Sequence, residues 1–142
     1  MIFVDTSAIV AILAADPEAA ALAAKLEADP ERISAGHVIL EASMRLASLL
    51  GISPSAADGL VTRLLREAEL TLVPITEEIG HGAVAAFERY GKGRSLAGAA
   101  GGAGTAANLG FGDCLSYACA QAHDARLLCK SHDLAQTDAA RA

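Results

Sequence analysis

The chain has 142 residues and a formal net charge of -6, and 53% of its residues are hydrophobic. This length fits one domain around one buried core, so residues 1–142 are interpreted as a single domain. The acidity argues against a protein that holds nucleic acid on a broad basic surface, although acidic side chains can recruit metal ions that meet phosphates. Three cysteines at spacings that match no familiar zinc motif are expected to be reduced and mostly buried. With no signal peptide or membrane span apparent, these features favour the cytoplasm.

The N-terminal stretch MIFVDTSAIVAI predicts a strand over residues 2–4, then an acidic residue, then a helix that Thr6 or Ser7 caps. In an open parallel sheet the ligand crevice lies beyond the carboxyl ends of the strands. Asp5 would stand at that crevice, where a carboxylate suits a hard cation. An equally good interpretation of this stretch alone is that Asp5 only caps the helix.

Strand and helix then alternate along the chain. Further helices are predicted over residues 18–28, 38–50, 54–68 and 76–90, with strands over residues 32–35 and 70–73. Glu41 falls about 60° outside the apolar face of its helix, where it either looks into a cleft or remains an ordinary exposed glutamate. The apolar face of residues 60–68 is expected to be structural or a pairing surface.

A glycine-rich segment interrupts this alternation. Residues 91–112 contain eight glycines among alanines and serines, which predicts a mobile loop that proteases cut first between Ser95 and Gly110. Its opening GKGR resembles a phosphate-binding loop only loosely, and a solvated linker is the alternative. A helix over residues 111–122 then carries Asp113 in its first turn, and an apolar strand over residues 125–129 precedes Asp133.

Four acidic residues in this scheme follow strands or lie near helix starts: Asp5, Glu41, Asp113 and Asp133. If the strands are parallel, these positions share one edge of the sheet. Four carboxylates in one cleft repel each other, and divalent cations relieve that repulsion. Oxygen-rich sites prefer magnesium or manganese, so the set predicts a site for one of these ions.

Four segments of the chain carry a resemblance to a known family: IFVDTSAIVAI, VILEASMRL, FGDCLSYACA and LLCKSHDLAQTD. In this order they resemble the PIN-domain ribonucleases, in particular the VapC-like toxins of bacterial toxin–antitoxin pairs, over nearly the whole chain. The resemblance implies an α/β, PIN-like three-layer fold in which helices flank a small parallel sheet of four to five strands. The sequence departs from the family in its longer run over residues 95–107, in Gly110 where Asn is common, and in its short tail after Asp138.

The resemblance implies a metal-dependent endoribonuclease that hydrolyses phosphodiester bonds in structured RNA with Mg²⁺ or Mn²⁺. It also implies a homodimer and a cognate antitoxin whose tail covers the acidic cleft. The catalytic and metal-binding quartet implied by the resemblance is Asp5, Glu41, Asp113 and Asp133, with Ser7 and Asp138 as auxiliary groups. The candidates for contacts with the RNA backbone are Arg45, Lys92, Arg94 and Lys130.

Two other functions are compatible with clustered acidic residues on a parallel sheet. One is a magnesium-binding, receiver-like signalling domain, which needs an acceptor aspartate at the end of a central strand; the strand at residues 70–73 supplies none. The other is a PIN-like interaction module that has lost catalysis, against which the retention of all four acids counts. Cleavage of total RNA in magnesium but not in EDTA distinguishes both from the nuclease.

Overall fold

The computed structural model describes residues 1–92 and 107–142. The mobile, protease-sensitive loop predicted within residues 91–112 therefore lies largely outside the described residues. The strands are β1 (Ile2–Val4), β2 (Arg32–Ala35), β3 (Thr71–Val73) and β4 (Arg126–Leu128). The helices are α1 (Thr6–Leu13), α2 (Ala19–Ala28), α3 (Gly36–Leu50), α4 (Pro54–Glu67), α5 (Glu77–Tyr90) and α6 (Phe111–Ala122), followed by a 3-10 turn over Leu134–Gln136.

In the described part of the chain, the four strands form one parallel sheet in the order β3-β2-β1-β4. β1 is central and its three residues, Ile2, Phe3 and Val4, are fully buried. A strand covered on both faces reads as a continuous apolar run, which is why so short a segment is recognisable in the sequence. The expected parallel α/β fold is confirmed, and the carboxyl ends of all four strands meet at one edge.

The C-terminal segment extends this sheet by a single bridge. Leu127 of β4 donates its backbone N–H to the carbonyl of Ala140 at 2.7 Å and accepts from the N–H of Ala142 at 3.0 Å. The tail thus pairs beside β4 without forming a further full strand. Both ends of the glycine-rich segment are also held together, because Lys92 and Leu109 are joined by a backbone hydrogen bond of 3.0 Å.

Of the two expectations for the apolar face of residues 60–68, the structural one is confirmed and the pairing surface is wrong. Val61 is fully buried and Leu65 is 6% exposed, because this face of α4 packs inward against α3. Large apolar side chains are exposed elsewhere: Leu40 and Met44 on α3, Val84 on α5, and Phe111 at the start of α6. The apolar stripe that helical periodicity reveals is buried in the core. Which other apolar side chains stay exposed is visible only in the packed structure.

Candidate metal and nuclease site

The four predicted acidic residues line one cavity of about 380 Å³ at the carboxyl edge of the sheet. Asp5 follows β1, Glu41 lies in the second turn of α3, Asp113 lies in the first turn of α6, and Asp133 follows β4. Of the other predicted residues, Ser7, Arg45 and Lys130 also line this cavity. The parallel sheet brings these distant positions together because each connection returns the chain to the same edge.

Asp5 is 3% exposed and both of its carboxylate oxygens accept hydrogen bonds. Oδ2 accepts from the backbone N–H of Ser7 at 2.9 Å and from its hydroxyl at 2.6 Å. Oδ1 accepts from the hydroxyl of Ser116 at 2.7 Å. Asp5 is therefore the N-cap of α1, so the expectation that Thr6 or Ser7 caps this helix is wrong, and capping does not remove Asp5 from the cavity.

Glu41 is held between two helices. Thr6 donates its hydroxyl to Oε2 of Glu41 at 3.0 Å, and Arg45 donates to Oε1 at 3.1 Å from the next turn of α3. The carboxylate also lies against Gly112, where a Cβ atom would collide with it. The absence of a side chain at Gly112 thus makes room for Glu41 in the cavity.

The pKa of Asp113 is affected by the charges of the other three acids. Burial raises the pKa of its carboxyl, the N–H of Gly110 opposes that rise, and the charges of the other three acids raise the pKa further. Its Oδ2 accepts from the N–H of Gly110 at 3.0 Å, which satisfies a donor at the start of α6. This raised pKa is the electrostatic consequence of gathering the four carboxylates around one cavity.

Ser7 connects α1 to the segment after β4. Its hydroxyl oxygen accepts from the backbone N–H groups of Lys130 at 2.9 Å and Ser131 at 3.2 Å, while its proton goes to Asp5. Asp133, further along this segment, accepts from the backbone N–H of Asn108 at 3.3 Å. Ser7, predicted as an auxiliary residue, therefore links Asp5 to the segment after β4 that carries Asp133.

The remaining candidates are placed differently. Lys130 reaches Asp16 at 2.6 Å, and this hydrogen bond is the main reason that the pKa of Lys130 is raised. Lys92 lies just beyond α5 and is not among the residues that line the cavity, while Arg94 lies outside the described residues. Asp138 is bound by Arg89 at 2.8 Å and by the hydroxyl of Tyr117 at 2.7 Å, so its described contacts fasten the C-terminal segment to α5 and α6.

Sequence reasoning missed three side chains that shape this site: Thr6, Ser116 and His37. Thr6 holds Glu41, and Ser116 bonds both Asp5 and the ring of His37. Ser116 lies one helical turn after Asp113, so it shares a face of α6 with an acidic residue; that spacing was the available signal. No local signal points from His37 to Asp5, since they belong to different elements.

The donor set fits a hard divalent cation in its chemistry. All four acids offer carboxylate oxygens, the ligands that Mg²⁺ and Mn²⁺ prefer, and their mutual repulsion favours the entry of positive charge. Within residues 1–92 and 107–142, however, no three acidic, histidine or cysteine side chains already stand in an arrangement that could hold an ion. Because the four acids line one cavity without forming such an arrangement, cation binding requires some of these side chains to rotate.

Comparison with known proteins agrees with this fold. The PIN domain family model matches residues 2–140, so the chain belongs to the PIN domain family. A solved structure, that of the Mycobacterium tuberculosis toxin VapC20, which cleaves the Sarcin-Ricin loop, superposes with a TM-score of 0.73 at 16% sequence identity. The superposition covers 100% of this chain and 98% of that one.

Similar sequences narrow the assignment. Ribonuclease VapC28 of Mycobacterium tuberculosis is 39% identical over 98% of this chain and 96% of its own length. Ribonuclease VapC of Mycolicibacterium smegmatis is 34% identical over 96% of each protein. Within the PIN domains, this chain therefore belongs to the VapC ribonucleases, and the receiver-like interpretation is wrong. In the described part of the chain, no helix has the length and apolar character needed to cross a membrane.

Proposed function

We propose that this protein is the toxin of a toxin–antitoxin pair and acts as a divalent-metal-dependent endoribonuclease in the cytoplasm. The observation that carries the proposal is the convergence of Asp5, Glu41, Asp113 and Asp133 on one cavity, together with the raised pKa of Asp113. Residues that only stabilised the fold would have no reason to gather like charges in this way.

In this proposal Asp5 and Asp113 are the principal ligands of Mg²⁺ or Mn²⁺, and Glu41 and Asp133 complete the set. When bound, the ion supplies an activated water and stabilises charge on the leaving oxygen of the phosphodiester. Ser7 and Thr6 fix the orientations of Asp5 and Glu41 through the hydrogen bonds already described.

Arg45 and Lys130 lie on the wall of the cavity, where they are suited to contact RNA phosphates beside the acids. Each is paired with a carboxylate, Glu41 or Asp16, and a phosphate would compete for it. Lys92 and Arg94 remain candidates for longer contacts. Because VapC20, a toxin of the same fold, cleaves the Sarcin-Ricin loop, a loop in a structured RNA is the substrate class that we propose.

The proposed partners are a cognate antitoxin and a second copy of the chain. An antitoxin arginine inserted among the four acids would pair with charge that otherwise requires metal. For the homodimer, the best surface joins Leu40 and Met44 of α3 to Val84 of α5 through Phe111, all of them between 61% and 83% exposed. Light scattering should give a dimer mass for the wild type and a lower mass for Met44→Glu; a wild-type monomer at high concentration contradicts the dimer.

The enzymatic proposal is tested by incubating the purified protein with total RNA in Mg²⁺, in Mn²⁺ and in EDTA. The expected result is discrete fragments with either metal and intact RNA in EDTA. Asp5→Asn controls for a contaminating nuclease, since a contaminant would still cut in that preparation. If the wild type cuts no RNA under any of these conditions, the non-catalytic PIN-like interaction module becomes the better interpretation.

A further inference from the structure

A series of three hydrogen-bonded side chains leads from the half-buried His37 of α3 through the buried Ser116 of α6 to the buried Asp5. The Nε2 atom of His37 lies 3.2 Å from the hydroxyl oxygen of Ser116, which lies 2.7 Å from Oδ1 of Asp5. Ser116 is fully buried, and the ring of His37 stacks on Phe3 of β1 at 6.4 Å between centroids and 13° between planes. The ring of His37, at the end of this series farthest from Asp5, is therefore held in place by Phe3 of the core.

The direction of these hydrogen bonds follows from counting protons. An ionised carboxylate only accepts, so the single proton of the Ser116 hydroxyl is donated to Asp5. For the 3.2 Å contact with His37 to be a hydrogen bond as well, Ser116 accepts in it, which assigns a proton to Nε2. Burial lowers the pKa of His37, while the charges of Asp5 and Glu41 and a contact with the backbone of Gly112 oppose that change, and the net lowering favours the neutral ring. Its Nδ1 atom is buried and has no hydrogen-bond partner of standard geometry within the described ranges.

The same count decides which oxygen of Asp5 remains available. Each carboxylate oxygen has about two acceptor positions. Both positions of Oδ2 are taken by the N–H and the hydroxyl of Ser7. Among the described residues, Oδ1 accepts from Ser116 alone, which leaves it one lone pair.

We propose that Ser116 and His37 are positioning residues that hold Asp5 so that Oδ1 is the oxygen presented to a bound cation. Neither residue needs to touch the cation. Ser116 sets the rotation of the Asp5 carboxylate from one side and Ser7 sets it from the other, while His37 keeps the proton of Ser116 directed at Asp5. The inference rests on the proposed metal site and deepens it, because it extends the site to residues outside the four acids.

Direct titration of Mn²⁺ by calorimetry tests the proposal without relying on cleavage. Losing a partner that orients a metal ligand typically weakens metal affinity about 10- to 100-fold. We expect Ser116→Ala to raise the Kd for Mn²⁺ by about 10-fold, and His37→Phe, which keeps an aromatic ring against Phe3, to raise it by less. The double variant should match Ser116→Ala, since His37 acts through Ser116.

Two further variants separate positioning from general stability. Ser43→Ala is the matched control, because Ser43 is also buried and its hydroxyl has no hydrogen-bond partner in the described part of the chain. It should leave the Kd for Mn²⁺ unchanged. His37→Gln retains an N–H donor and should bind Mn²⁺ more tightly than His37→Phe does.

The outcomes are distinguishable. A wild-type Kd in Ser116→Ala overturns the positioning role and leaves the proposed nuclease site intact. Additive effects in the double variant overturn the role of His37 through Ser116. If the wild type itself binds no Mn²⁺, the proposed metal site fails and the positioning role fails with it.

Discussion

The two edges of the central sheet treat buried carboxylates in opposite ways. At the amino edge, the side chain of Asp29 is 7% exposed and is surrounded by donors from the protein itself: the N–H of Glu31, the guanidinium of Arg126 and the ammonium of Met1. The hydrogen bond from Glu31 lowers the pKa of Asp29 most, and Arg126 and the ammonium lower it further against the effect of burial. This carboxylate is stabilised in its charged form.

At the carboxyl edge, the pKa of Asp113 is instead raised, by burial and by three neighbouring acids. Within the described residues, no lysine or arginine forms an ion pair with Asp5, Asp113 or Asp133; Arg45 pairs with Glu41 alone of the four. The difference teaches that burial of a carboxylate does not by itself indicate function. What distinguishes the candidate site is negative charge that the protein does not neutralise with its own cations.

The largest contrast between the edges should appear in RNA cleavage. Asp5→Asn and Asp113→Asn should each lower the rate by about a hundredfold or more, since a ligated cation contributes several kcal/mol to transition-state stabilisation. Glu41→Gln and Asp133→Asn should lower it as well, but less. Asp29→Asn is the control at the opposite edge and should cut RNA at nearly the wild-type rate below its melting temperature. If wild type, Asp5→Asn and Asp113→Asn all cut RNA at the same rate, the carboxyl edge of the sheet is not the catalytic site.

Gly112→Ala should reduce cleavage by about 10- to 100-fold, as displacement of a reacting group by about 1 Å can do. The new Cβ collides with the end of the Glu41 side chain, which is flexible, so the carboxylate moves and the fold survives. Gly59→Ala in α4 is the matched control, because nothing lies within 4 Å of its Cβ position. Unaltered activity in Gly112→Ala would show that the position of Glu41 is unimportant.

Metal binding should reverse the order of thermal stability between wild type and Asp113→Asn. In EDTA the variant should melt at the higher temperature, because it removes one of four repelling charges while Asn can still accept from Gly110. Mg²⁺ at about 100 times its Kd should stabilise the wild type by about 2.7 kcal/mol, or about 8 °C, and the variant by much less. Identical melting curves in both conditions would separate Asp113 from a shared carboxylate site.

The EDTA difference should also depend on pH with a definite sign. The folded-state pKa of Asp113 lies above its usual value of 3.8, so the folded protein holds this proton more tightly than the unfolded chain does. Its ionisation therefore lowers stability as pH rises from about 3.8 through the raised folded value, and the penalty is complete above that value. The advantage of Asp113→Asn should be full above the raised pKa and shrink as the pH falls toward 4; an advantage that grows with acid would contradict the assignment.

The smallest effect is expected at the amino edge. Asp29→Asn loses charge attraction to Arg126 and to the ammonium of Met1, both of which are partly exposed. Its melting temperature should therefore fall by about 2 to 4 °C, the shift that the loss of partly screened charge attraction produces in a domain of this size. This shift should be the same in EDTA and in Mg²⁺. A metal-dependent shift would mean that the two edges are coupled.

Sequence alone determined the order of elements and the acidic residues that face one edge of the sheet. The apolar run Ile2–Val4 and the apolar stripes of the helices are local patterns in the sequence. They are readable because the side chains that form them are the ones buried in the core. The parallel direction of the strands then follows from alternation, because a strand, a helix and the next strand can pack together in few ways; the order β3-β2-β1-β4 came only from the structure. The four carboxylates could be predicted for the same reason.

Only the tertiary structure decided how these side chains are held. The partners of Asp5 and Glu41 come from distant segments, as in the bond from Ser116 to Asp5 and from Thr6 to Glu41, and no local pattern encodes such pairs. The apolar face of residues 60–68 illustrates the same limit, because periodicity shows that a stripe is buried but not which element covers it. Which groups hydrogen-bond, which charges stay unpaired and which apolar side chains stay exposed all depend on which faces of the elements pack together. That packing is established only in the folded protein.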